Sequence, residues 1–267
     1  FVDIDPSTYN IDVSKIASVV NKKTKAILPV HLYGQCADMD AILEVARANR
    51  LMVVEDAAQA IGAVYKGQNA GTMGNVGCFS FYPTKNLGGY GDGGLVTTND
   101  DELAGLIKIL RVHGSEPKYY HSYIGINGRL DAIQAAVLSV KLEYLNDWSE
   151  SRRWVASYYS EHLKGLPIRL PKTESYNTHI FHQYVIATSQ RGALIQHLKQ
   201  QGIETAIYYP VPLHLQKCFE YLRYKEGDLP ESEKASRETL ALPIFPEITL
   251  KEQDYVIGHI KNFFTGR

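Results

Sequence analysis

Apolar residues in the first half of the chain occur in short runs separated by polar stretches. These runs predict buried strands at residues 25–31, 51–55, 78–82 and 95–98. Between them, apolar residues recur at helical spacing after Asp38 and after Asp100, two residues suited to cap a helix N-terminus. Strands that alternate with helices form mostly parallel, buried sheets. The pattern therefore predicts an α/β domain over residues 1–147.

The pattern changes after about residue 145. A long amphipathic helix is predicted at 145–163, and Pro167 and Pro171 follow it. The remaining segments predict strands at 182–188 and 206–209, helices at 191–201 and 250–264, and a turn-rich stretch at 242–246. We expect residues 148–267 to form an interdomain helix and a smaller α+β domain.

Composition narrows the classes of function. The 267 residues include 28 Lys plus Arg against 29 Asp plus Glu, which gives a formal net charge of -1. Nucleic acids and anionic membranes both attract an excess of basic residues, so neither is expected as the main partner. No apolar run approaches the ~20 residues of a membrane-spanning helix. The three cysteines form no Cys-x-x-Cys pair, which favours reduced thiols in a cytoplasmic protein. His179 and His182 have no cysteine or acidic companion at ligand spacing, so no metal site is predicted.

Two carboxylates stand at the predicted end of one strand. Glu55 and Asp56 are followed by the small residues Ala57 and Ala58 and then by Gln59. In open α/β sheets, ligands bind at the carboxyl ends of the strands. These side chains therefore mark a candidate ligand site, although the same residues also suit a solvated helix start with Asp56 as its N-cap.

A lysine precedes a loop rich in glycine. Five glycines occur within the nine residues after Lys85, and such a loop can approach a ligand closely. The glycines formally match G-x-G-x-x-G, but a strand is predicted after them, where a dinucleotide site needs a helix. A Walker A loop is excluded as well, because no Gly-Lys-Ser/Thr follows the glycines. Both nucleotide interpretations are therefore set aside.

A covalent role for this lysine is the remaining chemical interpretation. A lysine amine forms a Schiff base with an aldehyde, and pyridoxal phosphate (PLP) is the common biological aldehyde of this kind. That cofactor needs a carboxylate at its pyridine nitrogen, which Asp56 could supply, and donors for its phosphate, of which Ser80 could be one. On these residues alone, the alternative of a surface lysine in a flexible loop stays open.

Several segments, in order along the chain, resemble the sugar aminotransferases of the DegT/DnrJ/EryC1/StrS family. The matching segments are 29–34, 55–60, 80–85, 91–94, 127–131, 134–136, 209–214 and 242–246. The resemblance covers essentially the whole chain. It implies the fold type I of PLP-dependent transferases, an α/β fold in which helices flank a mostly parallel large-domain sheet and a smaller α+β domain follows at the C-terminus.

The resemblance also implies roles for individual residues. Lys85 would form the Schiff base with the cofactor and later move protons, while Asp56 would pair with the pyridinium nitrogen. Gln59 would lie near the cofactor ring and its phenolic oxygen, and Ser80 would donate to the phosphate. Asn127 would reach the phosphate in the partner subunit, so a homodimer with shared active sites is expected.

Further residues are weaker candidates for the substrate cleft. They are His31, Tyr82, Tyr119, Tyr120, His182 and His214. A histidine or tyrosine at such a position is more often a packed, hydrogen-bonded residue, and that alternative is kept for each of them.

The implied activity is amino-group transfer. An amino acid, glutamate by expectation, would give its amino group to a ketone of a nucleotide-linked sugar, in the biosynthesis of amino sugars for surface polysaccharide, lipopolysaccharide or a secondary metabolite. A first alternative is a PLP-dependent sugar dehydratase of the same family, in which histidine typically replaces the lysine that Lys85 retains. A second is a non-catalytic relative that acts as a regulator or interaction protein. The particular sugar, its nucleotide and the aminated carbon are not readable from the sequence.

One departure from the family pattern affects the expected fold. Family members normally carry a substantial segment before the point where this chain starts, with a Gly-Ser/Thr turn for the phosphate and an aromatic that stacks on the cofactor ring. Neither feature is found in this sequence. We therefore expect a fragment of a longer protein, in which the N-terminal part of the large domain is missing and the sheet has exposed edges and uncovered apolar surface.

Overall fold

Helices and strands alternate through the first half of the chain, as the computed structural model shows for residues 1–266. The α-helices are α1 Val13–Val19, α2 Met39–Asn49, α3 Asp101–Leu110, α4 Ala132–Leu142, α5 Leu145–Leu163, α6 Arg191–Gln200, α7 Pro230–Glu238 and α8 Leu250–Thr265. The strands are β1 Ala26–Ile27, β2 Met52–Asp56, β3 Val64–Tyr65, β4 Gln68–Asn69, β5 Val76–Ser80, β6 Gly94–Thr97, β7 Asn177–Thr178, β8 Tyr184–Ala187 and β9 Thr239–Leu242.

The main sheet has the strand order β1-β2-β5-β6. Strand β2 pairs in parallel with β1 and with β5, and β6 pairs antiparallel to β5. The antiparallel pair arises because no crossover helix separates β5 from β6; the loop at 81–93 returns the chain to the same edge. The mixed α/β fold with a mostly parallel sheet is thus confirmed.

A first hydrophobic core lies between this sheet and helices α1 and α2. Its fully buried members include Ile16, Ile42 and Val53. Residues from much later in the chain join it, because β7 pairs with β3 and Ile180 is completely buried in the same cluster. The chain therefore returns to the first core after α5.

A second core is formed by the C-terminal part. Helices α5, α6 and α8 pack on the antiparallel pair β8–β9. Tyr159, Leu194 and Ile260 are completely buried there. Helix α5 runs over the predicted residues, and the whole of β8 is buried on both faces. The division into domains at residue 147 stays a prediction, since residues near 180 belong to the first core.

Two predicted strands are shorter than expected. Of the run at 25–31, only Ala26–Ile27 forms a ladder, because Pro29 has no amide proton to donate and the chain then touches β2 through a single bridge between Val30 and Asp56. Of the run at 206–209, only Ala206 pairs, with Ala241. The residues after Ala206 turn towards a large cavity instead of extending the sheet.

The two predicted helix caps behave differently. Asp100 caps α3 as predicted, because its carboxylate accepts a hydrogen bond from the backbone amide of Leu103 at 2.9 Å. Asp38 occupies the N-cap position of α2 but makes no capping hydrogen bond. Its carboxylate instead accepts the hydroxyl proton of Tyr65 at 2.7 Å. Within residues 1–266, no helix is both long and apolar enough to cross a bilayer.

Candidate active site

Asp56 is the last residue of β2 and lies at the carboxyl edge of the parallel strands. Its backbone is fixed on both sides, since its amide donates to the carbonyl of Pro29 at 2.9 Å and its carbonyl accepts from the amide of His31 at 3.0 Å. One carboxylate oxygen accepts from the amide of Ala58 at 3.1 Å. The side chain is therefore held at the edge where ligands bind in sheets of this kind.

Lys85 lies in the loop between β5 and β6, directly beyond the neighbouring strand. Its backbone amide donates to the carbonyl of Tyr82 at 2.8 Å, which closes a tight turn. At Gly88 a Cβ atom would lie 2.4 Å from the carbonyl oxygen of Pro83, so the loop can close only around glycine. Because β2 and β5 are parallel and adjacent, the loop brings Lys85 to the same edge as Asp56.

Asp56 and Lys85 line one cavity of about 1020 Å³. Burial lowers the pKa of the Lys85 ammonium, and the negative charge of Asp56 partly opposes that shift. Within residues 1–266 the two groups form no salt bridge, either with each other or with another side chain. The amine and the carboxylate thus face a common space without neutralising each other by direct contact.

Gln59 connects this edge to the C-terminal part of the chain. Its amide oxygen accepts from the backbone amide of Tyr33 at 2.8 Å, and its amide nitrogen donates to the hydroxyl of Tyr209 at 3.0 Å. Burial raises the pKa of Tyr209, so the phenol stays protonated. Tyr33 and Tyr209 were not predicted to belong to the site; Tyr209 stands in the family-like segment 209–214, which was the available signal.

Two predicted cofactor contacts lie outside the lining of this cavity. Ser80 ends β5 at the same sheet edge, and its hydroxyl oxygen accepts from the amide of Tyr82 at 3.2 Å, which leaves its own proton free to donate. Asn127 is exposed and forms an isolated bridge with Val112. Its position on the surface is compatible with the expected reach towards a partner subunit.

The structure distributes the weaker substrate candidates widely. His31 is a correction, since it is completely buried in the core: its Nε2 donates to Glu55 at 2.8 Å and its Nδ1 accepts from Ala37 at 3.1 Å. Tyr119 and Tyr120 are 79% and 70% exposed in a surface loop and do not line the cavity of the single chain, so their place in the substrate cleft stays a prediction. Tyr82 is half-exposed near the turn that holds Lys85.

The remaining two histidines are buried near the site. His214 lines the cavity, and its Nε2 donates to the Glu233 carboxylate at 3.0 Å. His182 is 5% exposed and hydrogen-bonds to Asn86 at 3.1 Å, so it contacts the residue next to Lys85 without lining the cavity. Among residues 1–266 no group of three or more potential metal ligands is found.

The fold is thus a mixed α/β fold in which the amine of Lys85 and the carboxylate of Asp56 lie at one edge of a mostly parallel sheet and line the same cavity. The chain belongs to the DegT/DnrJ/EryC1/StrS aminotransferase family, whose model matches residues 1–261. Aminotransferases of this family depend on PLP. Membership confirms both the predicted resemblance and the fold type.

Similar proteins carry both enzymatic and regulatory names. The chain is 54% identical over 267 residues to a pleiotropic regulatory protein of Geobacillus stearothermophilus, covering 99% of this chain and 72% of that protein. It is 44% identical to the dTDP-3-amino-3,6-dideoxy-alpha-D-galactopyranose transaminase of Aneurinibacillus thermoaerophilus, covering 98% and 72% of the two chains. The crystal structure of S. venezuelae DesV in complex with a ketimine intermediate superposes with a TM-score of 0.95 at 42% identity, covering 98% and 71%.

Proposed function

We propose that this protein is a PLP-dependent aminotransferase that moves an amino group from an amino acid to a keto group of a nucleotide-linked sugar. The observation that carries the proposal is that Lys85 and Asp56 lie at one sheet edge and line the same cavity, in a chain of this family. The transaminase from Aneurinibacillus thermoaerophilus supports the sugar nucleotide as the amino acceptor.

The residues present fit PLP. Lys85 offers an amine whose pKa is lowered by burial, so a larger fraction is neutral and nucleophilic than for an exposed lysine. Asp56 offers a carboxylate without a salt-bridge partner, suited to a protonated ring nitrogen, and Ser80 offers a hydroxyl proton suited to a phosphate. Bound PLP would supply an aldehyde for the amine and a ring that accepts the electron pair released when a C–H bond breaks.

The protein's own contribution to the reaction is proton transfer and orientation. The Nζ atom of Lys85 can accept a proton from one carbon and return it to another, since its lowered pKa favours the neutral base at the start of the transfer. Gln59 orients the phenol of Tyr209 beside the cavity. We place Asn127 at the cofactor phosphate of a partner subunit, so that the active protein is a homodimer.

The acceptor carbon is proposed to be C3 of the sugar, because the name of the Aneurinibacillus transaminase specifies a 3-amino sugar. An assay with glutamate as donor and dTDP- and UDP-linked 3-keto sugars as acceptors tests this. Formation of the amino sugar and of 2-oxoglutarate in a one-to-one ratio is the expected result. If the protein turns over 4-keto sugars and no 3-keto sugar, the aminated carbon is C4 and the proposal of an aminotransferase still holds.

Covalent retention of PLP separates the enzyme from a non-catalytic regulator. Borohydride treatment of the protein with PLP is expected to fix the cofactor on Lys85, as read by mass spectrometry of the digested chain. Lys85→Ala should lose the label, and Lys118→Ala, an exposed lysine in a surface loop, should keep it. A wild-type chain that stays unlabelled would contradict the proposed function. Labelled protein that releases water from the sugar without transferring nitrogen would indicate the dehydratase alternative.

A further inference from the structure

A buried polar cluster lies directly behind Lys85, outside the cavity. It consists of Asn86, His182 and Arg152, which are 7%, 5% and 8% exposed. Each comes from a different part of the chain: Asn86 from the Lys85 loop, His182 from the segment before β8, and Arg152 from helix α5. The cofactor and substrate roles proposed above make no use of these three side chains.

Asn86 attaches the Lys85 loop to the segment at 180–182. Its amide nitrogen donates to the carbonyl of Ile180 at 3.3 Å, and its amide oxygen lies 3.1 Å from Nδ1 of His182. Because an amide oxygen only accepts, His182 must carry its proton on Nδ1 and donate it to Asn86. Burial, with the nearby charges of Lys85 and Arg152, lowers the pKa of His182 to about 3, so the ring is neutral.

Arg152 holds the backbone that carries His182. One of its terminal nitrogens donates to the carbonyls of Phe181 at 3.1 Å, His182 at 3.4 Å and Ile244 at 3.2 Å. Burial lowers the pKa of Arg152 to about 10, so the guanidinium stays charged near neutral pH. A buried guanidinium that binds carbonyls from two separate segments fixes those segments relative to α5.

On its other side, the segment at 180–182 packs tightly against Gly34. The amide of Ile180 donates to the carbonyl of Gly34 at 3.0 Å. Gly34 has a φ of +101°, and a Cβ atom there would lie 2.7 Å from the Ile180 side chain. The segment that receives Asn86 is therefore fixed between Arg152 on one side and Gly34 on the other.

We infer that His182 is a positioning residue for Lys85, which it holds at the cavity through its Nδ1–H hydrogen bond to Asn86, and that Arg152 supports it. Both polar atoms of the Asn86 side chain, next to Lys85, are hydrogen-bonded to the fixed segment at 180–182. Loss of the His182 hydrogen bond would let the Lys85 loop move towards water. The inference rests on the proposed function only in taking Lys85 as the lysine that binds the cofactor.

The first measurement uses the protein without cofactor. Lysines are labelled by ¹³C reductive methylation, the Lys85 signal is assigned with Lys85→Arg, and its pKa is followed by NMR. We expect His182→Leu to raise the pKa of Lys85, because the burial that lowers it is reduced. We expect His182→Asn to keep the wild-type value, since the amide nitrogen of asparagine can replace Nδ1, whereas His182→Gln should resemble His182→Leu.

The second measurement is the rate of PLP attachment to Lys85, which we expect to fall about ten- to hundredfold in His182→Leu and to recover in His182→Asn. Arg152→Met should slow attachment in the same direction, and Arg152→Lys should restore part of it. His197→Leu is the matched control, because His197 likewise makes one hydrogen bond from its ring, in this case to the backbone carbonyl of His259 at 3.1 Å, and this bond joins α6 to α8.

The outcomes separate the two proposals. An unchanged Lys85 pKa in a folded His182→Leu protein would overturn the positioning role, and so would a shift that His182→Asn fails to reverse. A shift of the same size in His197→Leu would also overturn it, because the effect would then follow general loss of stability. If wild-type protein takes up no PLP, the proposed function fails, while the NMR titration still decides the role of His182.

Discussion

Glu55 and Asp56 are consecutive residues of β2 with opposite surroundings: the side chain of Glu55 is completely buried, and that of Asp56 faces the cavity. The alternation of side chains along a strand produces this difference. Glu55 accepts hydrogen bonds from the amides of Gly71, Met73 and Gly74 at 2.5–2.7 Å and from His31 at 2.8 Å. The Glu55 carboxylate therefore anchors the loop before β5 and His31, whereas the Asp56 carboxylate remains available to a ligand in the cavity.

Replacement of Glu55 by Gln should destabilise the protein by about 3 kcal/mol, because the amide group would face backbone donors with a donor of its own. Urea unfolding near neutral pH measures this. Glu44→Gln, on the exposed face of α2, should have little effect. A loss below about 0.5 kcal/mol would contradict the anchoring role of Glu55.

The difference in stability between the wild type and Glu55→Gln should also depend on pH. Burial by itself would raise the pKa of Glu55, but the bonds from His31 and the loop amides outweigh it, and the net pKa is lowered. A lowered folded-state pKa contributes stability above the ordinary value of 4.5, and that contribution is lost as pH falls through the folded-state value. The stability gap between wild type and Glu55→Gln should therefore narrow in acid; a gap that widens would contradict it.

Asp56→Asn should lower the pKa of Lys85 further in the cofactor-free protein, since the negative charge that opposes the effect of burial is removed. The NMR titration described above measures this directly. Transaminase turnover should fall at least about a hundredfold, because no carboxylate then pairs with the ring nitrogen. Asp147→Asn, on the exposed side of α5, serves as the control and should change neither quantity.

Substitution of glycine by alanine should have opposite effects on stability at Gly71 and at Gly105. Gly71 has a φ of +77°, and a Cβ atom there would lie 2.4 Å from the ring of Phe79. Gly71→Ala should cost about 2–4 kcal/mol. Gly105 lies inside α3 with open space around its Cα, so Gly105→Ala should stabilise by roughly 0.5–1 kcal/mol. Thermal unfolding of the two variants should therefore shift in opposite directions.

Lys141 supports the glycine-rich loop from α4. Its amine donates to the carbonyl of Gly88 and lies 5.8 Å from the ring centre of Tyr90 and 5.9 Å from that of Trp148. Lys141→Met keeps the apolar stem but loses these contacts, and should weaken PLP binding about tenfold because the loop that presents Lys85 is less fixed. Lys141→Arg should retain most of the affinity. Equal affinity in the wild type and in Lys141→Met, measured by fluorescence titration, would argue against this role of the lysine.

Regular elements were predictable where local signals agree. Helix α5 begins and ends at the predicted residues, and its buried positions recur at helical spacing, although the polar Ser149 and Arg152 occupy two of them. The segment at 206–209 was predicted as a strand from its apolar residues, but only Ala206 pairs, and Tyr208 and Tyr209 line the cavity instead. His31, predicted for the substrate cleft, is instead buried as the hydrogen-bond partner of Glu55.

The sequence by itself determined the α/β class and the family, and it selected Lys85 and Asp56 as candidate site residues, because residue types, their spacing and their order can be read along the chain. Only the tertiary structure decided that His31 is buried in the core beside Glu55 and that His182 contacts the residue next to Lys85. His31 and His182 are alike as residues, and their roles follow from partners 24 and 96 positions away, Glu55 and Asn86. Contacts of that separation form only when the chain folds, since no local pattern specifies them.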